Sequence, residues 1–384
     1  MGLGLDAQTV SPVRREDGRW TQSVTGTLPA GQRLRVSSIG SVSVRGVEGS
    51  EVRYSIVRRV RARSAEEAEQ LFRGSPFSAG RQGPTVVLSL PELNCSRCNA
   101  SAELTVSVPF NTDEAILFTQ GGSISVNGIS GRLNAETAGG TISVDKVGGD
   151  VRVTTAGGSV SLGSIGGSVR CETAGGEISL GSSGSDAVLT TSGGSISAGS
   201  VQGTLRAETA GGSIRAGKVS GEVMAGTSGG SIHLDSVGGR VSAETAGGSI
   251  RVASATAGVY AETAGGTIQL QDVAGAIRAA NAAGNIQVYF VRGHPLGDSM
   301  LESTTGNVVV WLPVDVVVTI DATVDFANGP NRIVSEFQSV VVHSERDEGF
   351  GPRGMRASGA INGGGPVLRI RNTNGRIQIR RRTE

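Results

Sequence analysis

A Gly-Gly pair recurs at residues 121, 139, 157, 175, 193, 211, 229, 247 and 265, always 18 residues apart, and a tenth step falls on Ala283-Gly284, a degraded copy. No other feature of the chain restricts its fold so strongly. The unit reads roughly G-G-S-I-x-V-x-x-V-G-G-x-V-x-A-E-T-A. A second glycine-rich corner falls nine residues on in many copies, as at Gly148-Gly149 and Gly238-Gly239. A unit this short cannot bury its own apolar face, so the copies must stack on one another.

Numbered from the first glycine, apolar residues fall at positions 4, 6 and 9 and again at 13, 15 and 18. The copy starting at Gly229 shows this with Ile232, Leu234, Val237, Val241, Ala243 and Ala246. Spacing of two within each cluster is the period of a strand. The sequence therefore predicts an all-β, parallel β-solenoid of two sheets and 18-residue coils, right-handed as parallel crossovers usually are. Ten coils at strand spacing make a rod on the order of 50 Å long. Glycine is expected at the corners for its access to positive φ and for close stacking.

Two polar columns accompany the apolar ones. Position 17 is Thr at residues 137, 155, 173, 191, 209, 227, 245 and 263, with Thr119 before them and Asn281 after. Position 16 reads Glu136, Thr154, Glu172, Thr190, Glu208, Gly226, Glu244, Glu262, Ala280. Facing carboxylates on paired strands repel, so the near-alternation places this column outward. The Thr column then turns inward or to the corner, where its hydroxyls can bond the turn backbone.

Cysteine use adds little. Cys95 and Cys98 form a lone C-x-x-C that is either a loop disulfide or a pair of free thiols. Without a second C-x-x-C or a nearby histidine it makes no zinc site. Cys171 falls in the inward position-15 column and reads as a buried, inert thiol. Calcium-roll binding needs G-G-x-G-x-D at each turn, and the copies carry Ile or Val at the fourth position and no recurrent Asp at the sixth. Asp145, Asp150, Asp186 and Asp235 fall at scattered repeat positions. His233, His294 and His343 share no motif. Gly349–Gly354 spells G-x-G-x-x-G but precedes no helix, so dinucleotide binding is rejected. No catalytic residues, cofactor or metal are expected.

The remaining segments read as caps. Residues 1–27 are an N-terminal extension, open to being the remnant of a signal segment. Residues 28–118 are a β-rich cap with one short helix from Ala65 to Phe72, started by the Ser64-x-x-Glu67 capping box. Residues 119–290 are the solenoid, and 291–384 a C-terminal β cap with a Gly-rich loop and a basic tail, Arg380-Arg381-Arg382. Trp311 is expected to cover the last coil. Arg58, Arg59, Arg61 and Arg63 are read as a solvated strand end. The 35 basic residues against 34 acidic ones give no pull toward nucleic acid. No apolar run is long enough for a transmembrane segment.

The motifs resemble the bacterial toastrack, or putative-adhesin, family of domains of unknown function. The resemblance rests on Gly40–Gly49 (G-S-V-S-V-R-G-V-E-G), Val106-Ser107-Val108-Pro109, the G-G-S-I-S-V units, Ser303–Pro313 and Asn372–Ile377. It covers the chain from about residue 28. It implies a β-solenoid commonly associated with the cell envelope, with no catalytic residues to carry over. The functional expectation is a non-enzymatic, cell-envelope-associated scaffold or adhesin-like module whose partner is an envelope polysaccharide or protein. The alternatives are a cytoplasmic scaffold that self-associates through its solenoid ends and, ranked below it, a polysaccharide-active β-helix enzyme.

Overall fold

The computed structural model describes residues 8–92, 99–326, 332–344 and 354–382. The chain divides into two compact units, Met1–Thr191 and Ser192–Glu384, with the division inside the repeat. Cys95, Cys98 and residues 349–353 of the G-x-G-x-x-G spelling lie outside the described residues.

In the N-terminal unit each repeat contributes one strand to each of two parallel sheets. Ile124–Ile129, Ile142–Val147, Val160–Ile165 and Ile178–Ser183 stack in one sheet, and Arg132–Thr137, Val151–Thr155 and Val169–Thr173 in the other. The register is 18 residues, pairing Ile124 with Ile142 and Leu133 with Val151. Strict alternation buries the apolar columns, as Leu133 and Ala135 are buried between exposed Arg132, Asn134 and Glu136. This is the β-solenoid the spacing calls for.

Coil stacking starts well before the repeat. Arg33–Ser38 lies in parallel between Glu114–Thr119 and Thr85–Ser89. Ser41–Val47 likewise lies between Ile124–Ile129 and Ser101–Pro109. The coil that comes first in sequence is thus inserted between two that follow it. Antiparallel strands finish this end: Glu51–Val60 pairs with Ser101–Pro109 and with the eleven-residue strand Arg19–Pro29. Arg19–Pro29 crosses the expected boundary at residue 27, held along its length by Glu51–Val60, with Thr21, Val24 and Leu28 buried.

The helix spans Ala65–Gly74. Ser64 Oγ accepts from Glu67 N, the first half of the capping box, while Glu67 Oε2 reaches back one residue further and accepts from Arg63 N at 2.6 Å instead of from Ser64 N. Ala68 and Phe72 bury its inner face on Val60.

The C-terminal unit repeats the scheme from Ile196–Val201 and Leu205–Thr209 through Ile277–Ala283 and Ile286–Phe290. Its end is inserted too. Ser299–Thr305 and Val308–Pro313 are followed in space by Val367–Asn374 and Ile377–Arg382. Only beyond these lie Val318–Val324 and Ile333–Ser335. Met355–Ile361 adds antiparallel to Val318–Val324, and Val341–Ser344 adds antiparallel to Met355–Ile361.

Candidate functional site: a carboxylate-lined groove on a glycine and threonine spine

Of the two reasons expected for the corner glycines, close stacking holds and positive φ does not. From Gly121 to Gly266 no member of a Gly-Gly pair has a left-handed φ. What the second glycine of each pair needs is the absence of a side chain. A Cβ on Gly140 would lie 2.1 Å from Gly122 O, and one on Gly230 2.0 Å from Gly212 O. The first glycine of the pair has room: a Cβ on Gly139 meets nothing within 4 Å, and one on Gly229 comes no closer than 3.4 Å. The degraded copies obey the same rule. Ala283-Gly284, Thr305-Gly306 and Asn374-Gly375 keep only the second glycine, and a Cβ on Gly306 or Gly375 would approach the carbonyl before it to 1.9 or 1.8 Å.

The Thr column locks onto this spine. Thr155 Oγ1 donates to Gly140 O at 2.9 Å and accepts from Gly158 N at 3.2 Å. Thr245 does the same with Gly230 O and Gly248 N. Asn281 and Asn372 take the role where the repeat decays, each donating Nδ2 to the glycine carbonyl. The hydroxyls are therefore used in stacking and are not offered to a ligand. Position 3 forms a further ladder that sequence reading missed: Ser231 N donates to Ser213 Oγ and Ser249 N to Ser231 Oγ.

Just outside the Thr column of the C-terminal unit the position-16 residues rim a groove of about 930 Å³. Its carboxylates are Glu208, Glu244, Glu262, Glu302 and Asp325, with Thr209, Thr245, Thr263 and Asn281 in its floor. The outward Glu column was legible; Glu302, which pairs opposite Ala280 after the 18-residue step has lapsed, and Arg371 and Asp325, on and beyond the inserted coil, were not. Arg206 Nη2 donates to Glu208 at 2.5 Å, and Arg371 stands 3.9 Å from Glu302. Glu244 and Glu262 face each other across paired strands. Glu262 accepts from the Tyr260 hydroxyl, and that bond, more than the nearby carboxylate charges, pushes the Tyr260 phenol above its ordinary range. Among the described residues no three His, Cys, Asp or Glu side chains gather as a metal-holding group.

The remaining sequence candidates are placed as follows. Cys171 is buried in the inward column, and burial, with Glu172 beside it, pushes its thiol up to about 12. Asp145 and Asp150 tie coils together, accepting from Ser164 N and from Ser168 N and Oγ; the latter bonds hold Asp150 below the usual carboxylate range. His233 Nε2 lies 3.0 Å from Asp235. Trp311 does not cover the last coil. It stands on the outer face, stacked on Tyr289 at 3.9 Å and 5°, with Arg380 on its other side, because strand alternation turns Val310 and Leu312 inward instead. The basic tail is structured rather than free: Arg381 lies over Phe337, and Arg382 binds Asp272 at 2.6 Å. Arg58 also departs from expectation. It is 6% exposed, while Arg59 is at the surface with Glu103.

No family model matches the chain, and no curated protein does. Solved structures do. One is a putative cell adhesion protein from Clostridium sporogenes, 8% identical, covering 98% of this chain and 100% of its own, at a TM-score of 0.16. A putative adhesin from Parabacteroides distasonis is 10% identical over 74% of this chain and 97% of its own, at 0.25. A putative adhesin from Bacteroides fragilis is 14% identical over 75% and 96%, at 0.24. These proteins share the description that the repeat motifs suggest, but TM-scores this low carry no argument about what the chain does. No helix among the described residues is long and apolar enough to cross a membrane.

Proposed function

We propose that the protein is a non-enzymatic, cell-envelope-associated β-solenoid acting as an adhesin-like scaffold or interaction module, with the carboxylate groove as its docking surface. The supporting observation is the division of labour in that groove. Its floor hydroxyls are consumed by coil stacking, while Glu208, Glu244, Glu262 and Glu302 ride on paired strands at its rim and Asp325 follows the end of one. A row of carboxylates on a stiff sheet suits an extended protein partner carrying basic side chains better than an anionic polysaccharide. The test is a pull-down from envelope fractions with the wild type and a Glu208→Gln, Glu244→Gln, Glu262→Gln triple variant, with a glycan array alongside and subcellular fractionation. A partner retained by the wild type and lost by the variant supports the reading. Cytosolic confinement with no partner in either screen removes it.

A second reading, self-association, has its own observation. Val341–Ser344 pairs on one side with Met355–Ile361 and leaves Val341 51% and Val342 40% exposed. Exposed apolar strands at a sheet margin invite pairing with another copy. Light scattering decides it: a monomer at high concentration excludes this reading.

A further inference from the structure

Among the described residues Arg58 is the one buried arginine, and neither the solenoid nor the groove explains its placement. It lies on Glu51–Val60 with its guanidinium 4.8 Å from the Phe72 ring centre. Nη1 donates to Ser75 O at 2.7 Å and Phe72 O at 3.4 Å, and Nη2 to Gln22 Oε1 at 2.5 Å. The two carbonyls end the helix Ala65–Gly74, so the helix dipole offsets part of the charge. No carboxylate among the described residues pairs with it, and Nε has no partner. A neutral donor could cap those carbonyls without the cost of desolvating a cation. Of its five N–H donors, Nε–H and one on Nη2 are left over.

Arg58 also lines a cavity of about 430 Å³, in the size range of small-molecule sites. Val10, Val13, Val24, Phe72 and Phe77 give it an apolar wall, and Gln8, Ser11 and Gln22 line it as well. At the rim Glu69 is engaged by Arg73 at 3.0 Å, so it does not neutralise Arg58. A partly apolar pocket with a donor-rich cation that no carboxylate pairs is complementary to an apolar molecule ending in one anion.

We propose that this cavity binds a monocarboxylate on an apolar chain, a medium-chain fatty acid, with Arg58 as the anion anchor. The carboxylate takes Nε–H and the spare Nη2 hydrogen as charge-assisted bonds, and the chain lies against Val13, Val24 and Phe77. Half-buried Gln22 is the side chain that yields to admit it.

Octanoate is the probe, with octanol and octylammonium as controls, added to the full chain. Trp20, which packs on the Phe72 cluster, reports occupancy by its emission in a Trp311→Phe background, and calorimetry reports affinity. The expected result is saturable octanoate binding, at least tenfold weaker octanol binding, and none for octylammonium. Arg58→Gln should weaken octanoate at least tenfold. Because that variant can loosen the helix, Val13→Trp serves as a second one that fills the chamber and keeps Arg58; it should abolish binding with the circular dichroism unchanged. No saturable octanoate signal in the wild type, equal octanol affinity, or full octanoate affinity in Val13→Trp overturns the proposal.

Discussion

Replacing Gly140 by alanine should damage the protein far more than replacing Gly139, although the two are neighbours in one pair. A Cβ at Gly140 would lie 2.1 Å from Gly122 O, 2.4 Å from Gly122 C and 2.7 Å from Ser123 N. All three are backbone atoms of the preceding coil, so no side chain can swing aside. Reaching an ordinary carbon–oxygen contact requires a coil shift of about 1 Å. That shift stretches the Thr137 Oγ1 bond to Gly122 O, now 2.8 Å, and the Gly140 N bond to Thr137 Oγ1, now 3.2 Å. Overpacking costs about 1–3 kcal/mol or more, and weakening a buried hydrogen bond about 1 kcal/mol. The expected loss for Gly140→Ala is therefore about 3 kcal/mol or greater. At Gly139 the space is open and φ is not left-handed, so alanine should be neutral or stabilise by about 0.4–1 kcal/mol through the unfolded chain. Urea unfolding followed by circular dichroism compares the two midpoints. Stacked coils can melt in parts, so hydrogen exchange over Leu133–Thr155 localises the effect. Equal midpoints within about 0.5 kcal/mol, or a worse Gly139 variant, would refute the steric account.

Thr155→Val removes both the donor to Gly140 O and the acceptor for Gly158 N, and should cost about 2 kcal/mol in urea unfolding, with Thr155→Ser much milder. Deleting residues 367–382 should not merely shorten the C-terminal unit: Ser299–Thr305 and Val318–Val324 lose their shared partner, and hydrogen-exchange protection should vanish over both. The Cys171 thiol is raised in the folded state, so the neutral form is the one folding favours. Its contribution is complete below the unfolded thiol value near pH 9 and is lost as pH climbs toward 12, by about 4 kcal/mol in all. Cys171→Ala should flatten that alkaline slope relative to the wild type, and a thiol reagent at pH 8 should label Cys171, located by peptide mapping, only on unfolding.

Periodicity carried the fold. Eighteen-residue phasing fixed the register, the inward Val and Ala columns, the outward Glu column and the turn of the Thr hydroxyls. The cap strands Arg33–Ser38 and Ser41–Val47 were not legible as a coil, since they lack the Gly-Gly spelling and keep only single glycines, Gly40 and Gly46, where a side chain would strike the neighbouring coil. The groove was half visible, because Glu302 and Arg371 meet across 69 residues through a coil inserted out of order. Arg58 was misread because a run of four arginines within six residues looks solvated, whereas strand alternation buries Arg58 and exposes Arg59. Trp311 was misread because its bulk suggested a lid, when its parity on the strand had already set it outside.

The inserted coils limit how such a chain can change length. An open-ended solenoid can gain or lose a repeat anywhere, including its tips. Here Arg33–Val47 is held between coils formed by later sequence, and Val367–Arg382 between coils formed by earlier sequence. Duplication or loss of an 18-residue unit is therefore tolerable only within the Gly-Gly run, where every coil offers the same seat to its neighbour. The clasped ends also set an order on synthesis. The N-terminal tip cannot close until Ser101–Pro109 and Glu114–Thr119 have emerged, and the C-terminal tip waits for Ile377–Arg382.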